Sequence, residues 1–280
     1  MGQSLKQELA SVGLIPSKRL GQTFLIDKNI LKKIIEAAEL SSEDFVLEIG
    51  PGLGVLTEEL SAHAKEVVAI ETDDKLAKAL RKKFKDIKNL KIIEDNFLKT
   101  DISKLNLPAH YKVVANLPYS ITSAAIRKIM EAVPAPSAAV FMVQKEVAER
   151  ICAKPGEMSL LALSVQYYGS PKLLFKVSKS SFWPEPKVDS AVIKIIWDKP
   201  FDSAQGRQAT SDKAEKFFRI ARIGFSSPRK QLQNNLVHGL HIKKEEAISL
   251  LKKAGLDPKV RPEELGVVDW KRLEAVRGKL

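Results

Sequence analysis

An α/β fold built on a parallel sheet, followed by a small all-α domain, is predicted by three observations. A short apolar run of strand type, Phe45-Val46-Leu47-Glu48-Ile49, gives way to glycines at alternate positions (Gly50, Gly52, Gly54) and then to a helix-like pattern from Val55 to Leu60. Strand-like and helix-like segments alternate from there to about residue 152, which demands a parallel sheet with helices on both faces. Past Asp198 to Thr210, a stretch with Pro200, Ser203 and Gly206 that reads as a linker, the pattern turns helical throughout. The implied boundaries are 1–200 for the α/β domain, with residues 1–40 as an N-terminal lid segment, and 201–280 for the helical domain.

The elements follow in order. Residues 1–40 read as two helical segments around Leu20-Gly21-Gln22-Thr23-Phe24-Leu25-Ile26-Asp27, the second from Asn29 to Glu39 with Asp27 as its N-cap. The Gly-Gln-Thr loop is either a lid over a ligand or a plain interhelix turn. Strand 45–50 leads to a helix ending near Ala64, strand 66–71 to helix 73–85, and strand 90–93 to a loop beginning Glu94-Asp95-Asn96-Phe97. Strand 111–115 runs into Asn116-Leu117-Pro118-Tyr119 and helix 122–132; strand 138–143 precedes helix 145–152. A helix over 159–168 is followed by strands 172–178 and 188–197, expected as an antiparallel pair at one sheet edge. Helices are expected at 212–224, 228–238, 243–254 and 269–277.

Bulk properties narrow the function classes. At 280 residues and 44% hydrophobic the chain can bury a core. Its net charge of +12 suits a polyanionic partner, though a merely basic surface would give the same figure. The last 80 residues carry 17 Lys and Arg against 10 Asp and Glu, so the tail is the more basic part. The single cysteine, Cys152, excludes an internal disulfide framework and fits a reducing cytoplasm. No apolar run approaches membrane-spanning length, and the first residues lack the core of a signal peptide, so a soluble intracellular protein is expected. His63, His110, His238 and His241 show no ligand spacing, and no metal is expected.

The glycine turn points to a nucleoside-like ligand, because a residue without Cβ lets a ligand touch the backbone. A dinucleotide fingerprint would read G-x-G-x-x-G. Here the spacing is G-x-G-x-G, led by Glu48 inside the strand. A carboxylate there repels a pyrophosphate but suits a cofactor bearing an ammonium group, such as S-adenosylmethionine. Glu71, ending the second strand, is placed to accept both ribose hydroxyls. Asp95, following the third strand, is placed to accept the amino group of an adenine, or else simply caps its turn.

The motif Asn116-Leu117-Pro118-Tyr119 ends the fourth strand. The amino group of adenine is a poor nucleophile because its lone pair is delocalised. The Asn116 oxygen and the carbonyl beside Pro118 can together accept both amino hydrogens and aim that lone pair at a methyl donor. Tyr119 offers a ring for an extruded base. Phe182, in the proline-braced loop Ser180-Ser181-Phe182-Trp183-Pro184-Glu185-Pro186-Lys187, is either a second ring for that base or part of the core. In the tail, Arg219 and Arg222 lie three apart on a helix, and Arg229 and Lys230 open the next. With Lys213 and Lys216 they form either a phosphate-binding face or a solvated one.

Five segments in order closely resemble the ribosomal RNA adenine dimethyltransferases of the KsgA/RsmA type: Leu20-Gly21-Gln22-Thr23-Phe24-Leu25, Glu48-Ile49-Gly50-Pro51-Gly52, Asn116-Leu117-Pro118-Tyr119, Gln144-Lys145-Glu146-Val147, and Phe182 through Pro186-Lys187-Val188-Asp189-Ser190-Ala191-Val192. The resemblance extends to Gly255-Leu256-Asp257-Pro258 and Arg261-Pro262-Glu263. It implies a Rossmann-like S-adenosylmethionine-dependent methyltransferase domain with a small helical C-terminal domain. The implied reaction is dimethylation of N6 on two adjacent adenosines in a hairpin near the 3′ end of 16S ribosomal RNA, as part of small-subunit biogenesis. By position, the implied cofactor contacts are Gln22, Thr23, Leu25, Gly50, Glu71, Asp95 and Asn116, with Asn116, Tyr119 and Phe182 on the target base. Thr23 stands where the family usually has Asn, and Pro228 where it tends to have Arg. Alternatives are a 23S ribosomal RNA dimethylase, which shares the N-terminal motifs, and an assembly factor that keeps the fold without turnover. A monomer is expected.

Overall fold

Seven strands form one sheet in the computed structural model, which describes residues 23–197 and 204–277, with side chains only from residue 212 in the second stretch. A two-residue strand Phe24–Leu25 (β1) comes first, then helix Lys28–Ala38 (α1), strand Phe45–Ile49 (β2) and helix Val55–His63 (α2). Strand Glu66–Glu71 (β3), helix Asp74–Lys83 (α3) and strand Leu90–Glu94 (β4) follow, then strand Lys112–Asn116 (β5) and helix Thr122–Met130 (α4). Strand Ala138–Gln144 (β6) runs straight into helix Lys145–Ile151 (α5). Helix Leu160–Gln166 (α6) precedes strands Gly169–Val177 (β7), Phe182–Trp183 (β8) and Ser190–Trp197 (β9).

The sheet order is β4-β3-β2-β5-β6-β9-β7. β4, β3, β2, β5 and β6 are mutually parallel, and β9 joins β6 antiparallel with Gln144 opposite Ser190. The predicted pair at one edge is thus β9 and β7, with β9 the inner of the two. Helices shield the central strands, so Val46, Leu47, Val67, Val113, Val114 and Phe141 are all fully buried. Each such side chain contributes roughly 1.5–3 kcal/mol.

Helix α1 shows how the local sequence sets an element. Asp27 accepts the backbone N–H groups of Asn29 and Ile30 at 2.9 and 3.3 Å, an N-cap of about 1 kcal/mol. Leu31, Ile34, Ile35 and Ala38 then fall on one face and are buried with Val140, Met142 and Val192 of the sheet. The first predicted helical segment and Gln22 lie outside the described residues.

Two compact units result: residues 23–148 with 170–197, and residues 149–169 with 204–277. The second includes α6 and not only the tail, because Ala162 and Leu163 pack with Phe217, Leu236, Leu251 and Trp270. It comprises α6, helix Ala204–Gly224 (α7), Leu232–Leu240 (α8), Lys244–Lys253 (α9) and Val267–Arg277 (α10). Two expectations are corrected here. The linker read over 198–210 is helical from Ala204, and residues 228–231 belong to a turn rather than to α8. In that turn the N–H of Lys230 donates to Ser227, and the buried Asn235 amide donates to the carbonyls of Gly224 and Ser227. Those bonds cap the end of α7 and delay the next helix.

Candidate active site

The site is built on the turn that ends β2. Gly50, Gly52 and Gly54 all adopt positive φ, 69°, 60° and 78°, a region that glycine enters without steric cost. The N–H of Gly50 donates to the Ile70 carbonyl at 2.9 Å, and that of Gly54 to Pro51 at 2.9 Å, turning the chain into α2. A Cβ on Gly52 would lie 3.2 Å from the ring of Phe24, so a bare backbone there lets β1 lie against the turn.

A cavity of about 280 Å³ opens at the C-terminal ends of the parallel strands, where this topology places ligands. Glu48, Gly50 and Gly52 line it from β2 and its turn, and Glu71 from the end of β3. Asn116, Leu117 and Pro118 line it from the end of β5 and the loop after it, and Thr23 and Leu25 from β1 and the residue before it. Nine of the sequence-predicted positions therefore meet at one space.

Its two acids differ in their partners. Glu71 accepts the N–H of Gly52 at 3.0 Å through one oxygen and that of Asp73 at 2.9 Å through the other. Burial raises its pKa, opposed by those backbone donors. Glu48 is 1% exposed, and its Oε2 meets no hydrogen-bond partner among the described residues. Burial pushes this carboxyl up to about 8; the Thr57 hydroxyl opposes the rise without meeting hydrogen-bond geometry, and Glu71 adds to it. A buried acceptor without a protein partner is costly, and here it belongs to a residue that lines the cavity.

Asn116 is the last residue of β5 and is half-buried. The N–H of Leu117 donates to Met142 at 3.1 Å, which continues the strand pairing and fixes the start of the motif. The carbonyl of Pro118 accepts both the N–H of Ile121 and the hydroxyl of Thr122, each at 3.1 Å, closing the turn into α4. Tyr119 Oη lies 2.7 Å from Ser190 Oγ. Its ring is not part of the cavity wall, although Pro118 and Ser120 on either side are.

Two predicted site residues, Asp95 and Phe182, meet a different placement, and the basic residues of the tail lie in the helical unit, as expected. Asp95 is exposed and does not line the cavity; its oxygens accept the N–H of Asn96 at 2.7 Å and the hydroxyl of Thr100 at 2.6 Å, the turn-capping alternative. Those bonds hold its pKa below the usual carboxylate range. Phe182 is 2% exposed, opposite Leu25 in a two-stranded antiparallel ribbon of β1 and β8, and packs in the core with Ile34 and Val192. It is a core residue here because β8 turns its ring inward against β1. Arg219, Arg222, Arg229 and Lys230 are all exposed and belong to the helical unit, the first two on α7 and the last two on the turn after it.

Asn96, Phe97, Thr72, Asp73 and Ser120 also line the cavity. The signal for the first two was in plain view, since they follow Asp95 in the loop after β4. The ribbon had no such signal. It is fastened at its end by the N–H of Ile26 donating to Ser181 at 2.9 Å and by the Ser181 hydroxyl donating to Asp27 at 3.1 Å.

Residues 16–274 match the model of a family described as ribosomal RNA adenine dimethylase. A ribosomal RNA small subunit methyltransferase A from Dehalococcoides mccartyi is 46% identical over 96% of this chain and 90% of its own length. Among solved structures, a dimethyladenosine transferase from Plasmodium falciparum superposes with a TM-score of 0.75 at 30% identity, covering 89% of this chain and 95% of that one. The 23S rRNA methyltransferase ErmE superposes with a TM-score of 0.70 at 28% identity, covering 90% and 98%.

Proposed function

The chain belongs to the ribosomal RNA adenine dimethylase family, and from that premise we propose that it transfers methyl groups from S-adenosylmethionine to N6 of two adjacent adenosines in the 3′-terminal hairpin of 16S ribosomal RNA. It is an rRNA (adenine-N6,N6)-dimethyltransferase of small-subunit biogenesis. It acts as a cytoplasmic monomer on the small subunit or its precursor; among the described residues no helix is long and apolar enough to cross a membrane. The observation that carries this is the sharing of one cavity by Asn116 and the acids Glu48 and Glu71. The small-subunit names of the relatives do not favour the 23S alternative.

The residues present fit the cofactor. Glu48 offers a buried, unpartnered oxygen to an ammonium group, a pairing that would favour its ionised form. Glu71 keeps lone pairs for ribose hydroxyls beyond the two used by backbone N–H groups. Gly50 and Gly52 admit close approach of the ligand, Thr23 and Leu25 cover it, and Asn96 with Phe97 flank its base. Asp95 contributes by holding, through Thr100, the loop that presents those two residues. Once bound, S-adenosylmethionine supplies an electrophilic methyl group on a sulfonium centre.

Asn116 and the backbone then orient the acceptor. With the Pro118 carbonyl already accepting twice, the backbone acceptor next to Asn116 is the carbonyl of Leu117. The Asn116 side-chain oxygen and that carbonyl each take one amino hydrogen of adenine and point the nitrogen lone pair into the cavity. No general base is needed, because the proton becomes acidic as the new N–C bond forms. Tyr119 receives the face of the extruded base. The exposed cations Arg219, Arg222, Arg229 and Lys230 contact RNA phosphates.

The test is transfer of labelled methyl groups to undermethylated small subunits, with the modified adenosines mapped. Wild type should dimethylate two adjacent adenosines, and Asn116→Ala should lose about 10²-fold or more in rate. Subunit binding without transfer by either protein would favour the assembly-factor alternative.

A further inference from the structure

We propose that Ser190 is a positioning residue for methyl transfer, holding the ring of Tyr119 in the orientation that receives the target base. The proposal rests on the assignment of Tyr119 as the base-receiving ring. Ser190 is wholly buried, yet its hydroxyl lies 2.7 Å from the phenol oxygen of Tyr119. The two residues are 71 positions apart, so the bond joins separate parts of the fold.

Ser190 is a fixed point. It opens β9 opposite Gln144 at the end of β6. The residue before it is held on both sides: the carbonyl of Asp189 accepts the N–H of Lys145 at 3.0 Å, and its carboxylate accepts the N–H of Lys179 at 3.0 Å. Tyr119, by contrast, sits in the loop between β5 and α4. An aromatic ring on a loop turns about Cα–Cβ, and a bond at its far end removes that freedom. The sheet therefore supplies, through one hydroxyl, the reference against which a base stacks.

This predicts a particular pattern of loss. Ser190→Ala removes the bond from the sheet side and Tyr119→Phe removes it from the ring side while keeping the aromatic face. Each should lower kcat about tenfold with KM for subunits and affinity for S-adenosylmethionine little changed, a tenfold loss being about 1.4 kcal/mol. The double variant should be no worse than about twofold below either single one, because both act through one bond. A hairpin carrying 2-aminopurine at the target position gives the second readout: its stacking-dependent fluorescence change on binding should shrink in Ser190→Ala and return in Ser190→Thr, which restores a hydroxyl.

Independent, multiplicative losses in the double variant, or wild-type kcat in Tyr119→Phe, would overturn the proposal. Should Ser190→Ala not fold, Tyr119→Phe and Ser190→Thr still decide it. Tyr119→Ala separates this from its premise. If that variant keeps both kcat and the fluorescence change, the assignment of Tyr119 as base receiver fails; if it loses both while Ser190→Ala and Tyr119→Phe lose neither, the ring matters and Ser190 does not position it.

Discussion

Gly52 donates its backbone N–H to the carboxylate of Glu71 across 3.0 Å, so the turn ending β2 is tied to the end of β3. One side chain thereby shapes the cavity wall and presents its remaining lone pairs to a ligand. Glu71→Ala should weaken S-adenosylmethionine binding by about 10- to 100-fold, the range expected for loss of hydrogen bonds to a charged group. Glu71→Gln keeps one acceptor oxygen and should lose less. Calorimetric titration checks both, and wild-type affinity in Glu71→Ala would refute the role.

Glu48 makes the stability of the free protein depend on pH. Its folded-state pKa of about 8 lies above its ordinary 4.5. Between those values the folded state binds more protons than the unfolded one, so stability falls as pH rises through the window and levels off above it. Glu48→Gln should remove that slope and be more stable than wild type at pH 9, by a few kcal/mol at most. Urea midpoints from pH 5 to 9 measure it; parallel curves for the two proteins would sink the claim.

Gly54 is confined by its surroundings as well as by its φ of 78°. A Cβ there would stand 2.7 Å from a Leu80 methyl and 2.9 Å from the tip of the Phe84 ring, both buried side chains. Gly54→Ala combines left-handed strain with overpacking and should cost about 2–4 kcal/mol. A denaturant midpoint equal to wild type would contradict this.

Arg219 and Arg222 lie exposed three residues apart on α7. If they meet phosphates, replacing both with alanine should weaken subunit binding and make the slope of log K against log salt shallower by roughly 0.7–0.9 for each phosphate no longer neutralised. Cofactor affinity should stay as it is. Binding isotherms at several salt concentrations give the slope, and an unchanged slope would mark a merely solvated face.

The sequence made the parallel strands legible because strands shielded on both faces become continuous apolar runs, as in Val67 to Ile70 and Ala139 to Val143. The acids Glu48 of β2 and Glu71 of β3 were legible for a related reason: a carboxylate has no business in such a run unless something meets it. Asp95 was ambiguous, since its position after β4 fits both a ligand contact and the bond to Thr100 that the structure shows. The helical start of α7 at Ala204 was hidden by Gly206 and polar neighbours that locally resemble a linker. The β1–β8 ribbon has two residues per strand, too few for any periodicity to register. Ser190 was visible only as part of a motif; its partner across the fold was not.

The pairing of Phe24 with Trp183 and of Leu25 with Phe182 means that the strip over the cavity is not an independent flap. Any displacement of it must either unzip four residues or drag the proline-braced aromatic loop along. Whatever displaces β1 from the cavity edge therefore also disturbs the part of the core that holds Phe182, so the rim of the pocket and that part of the core are one mechanical unit.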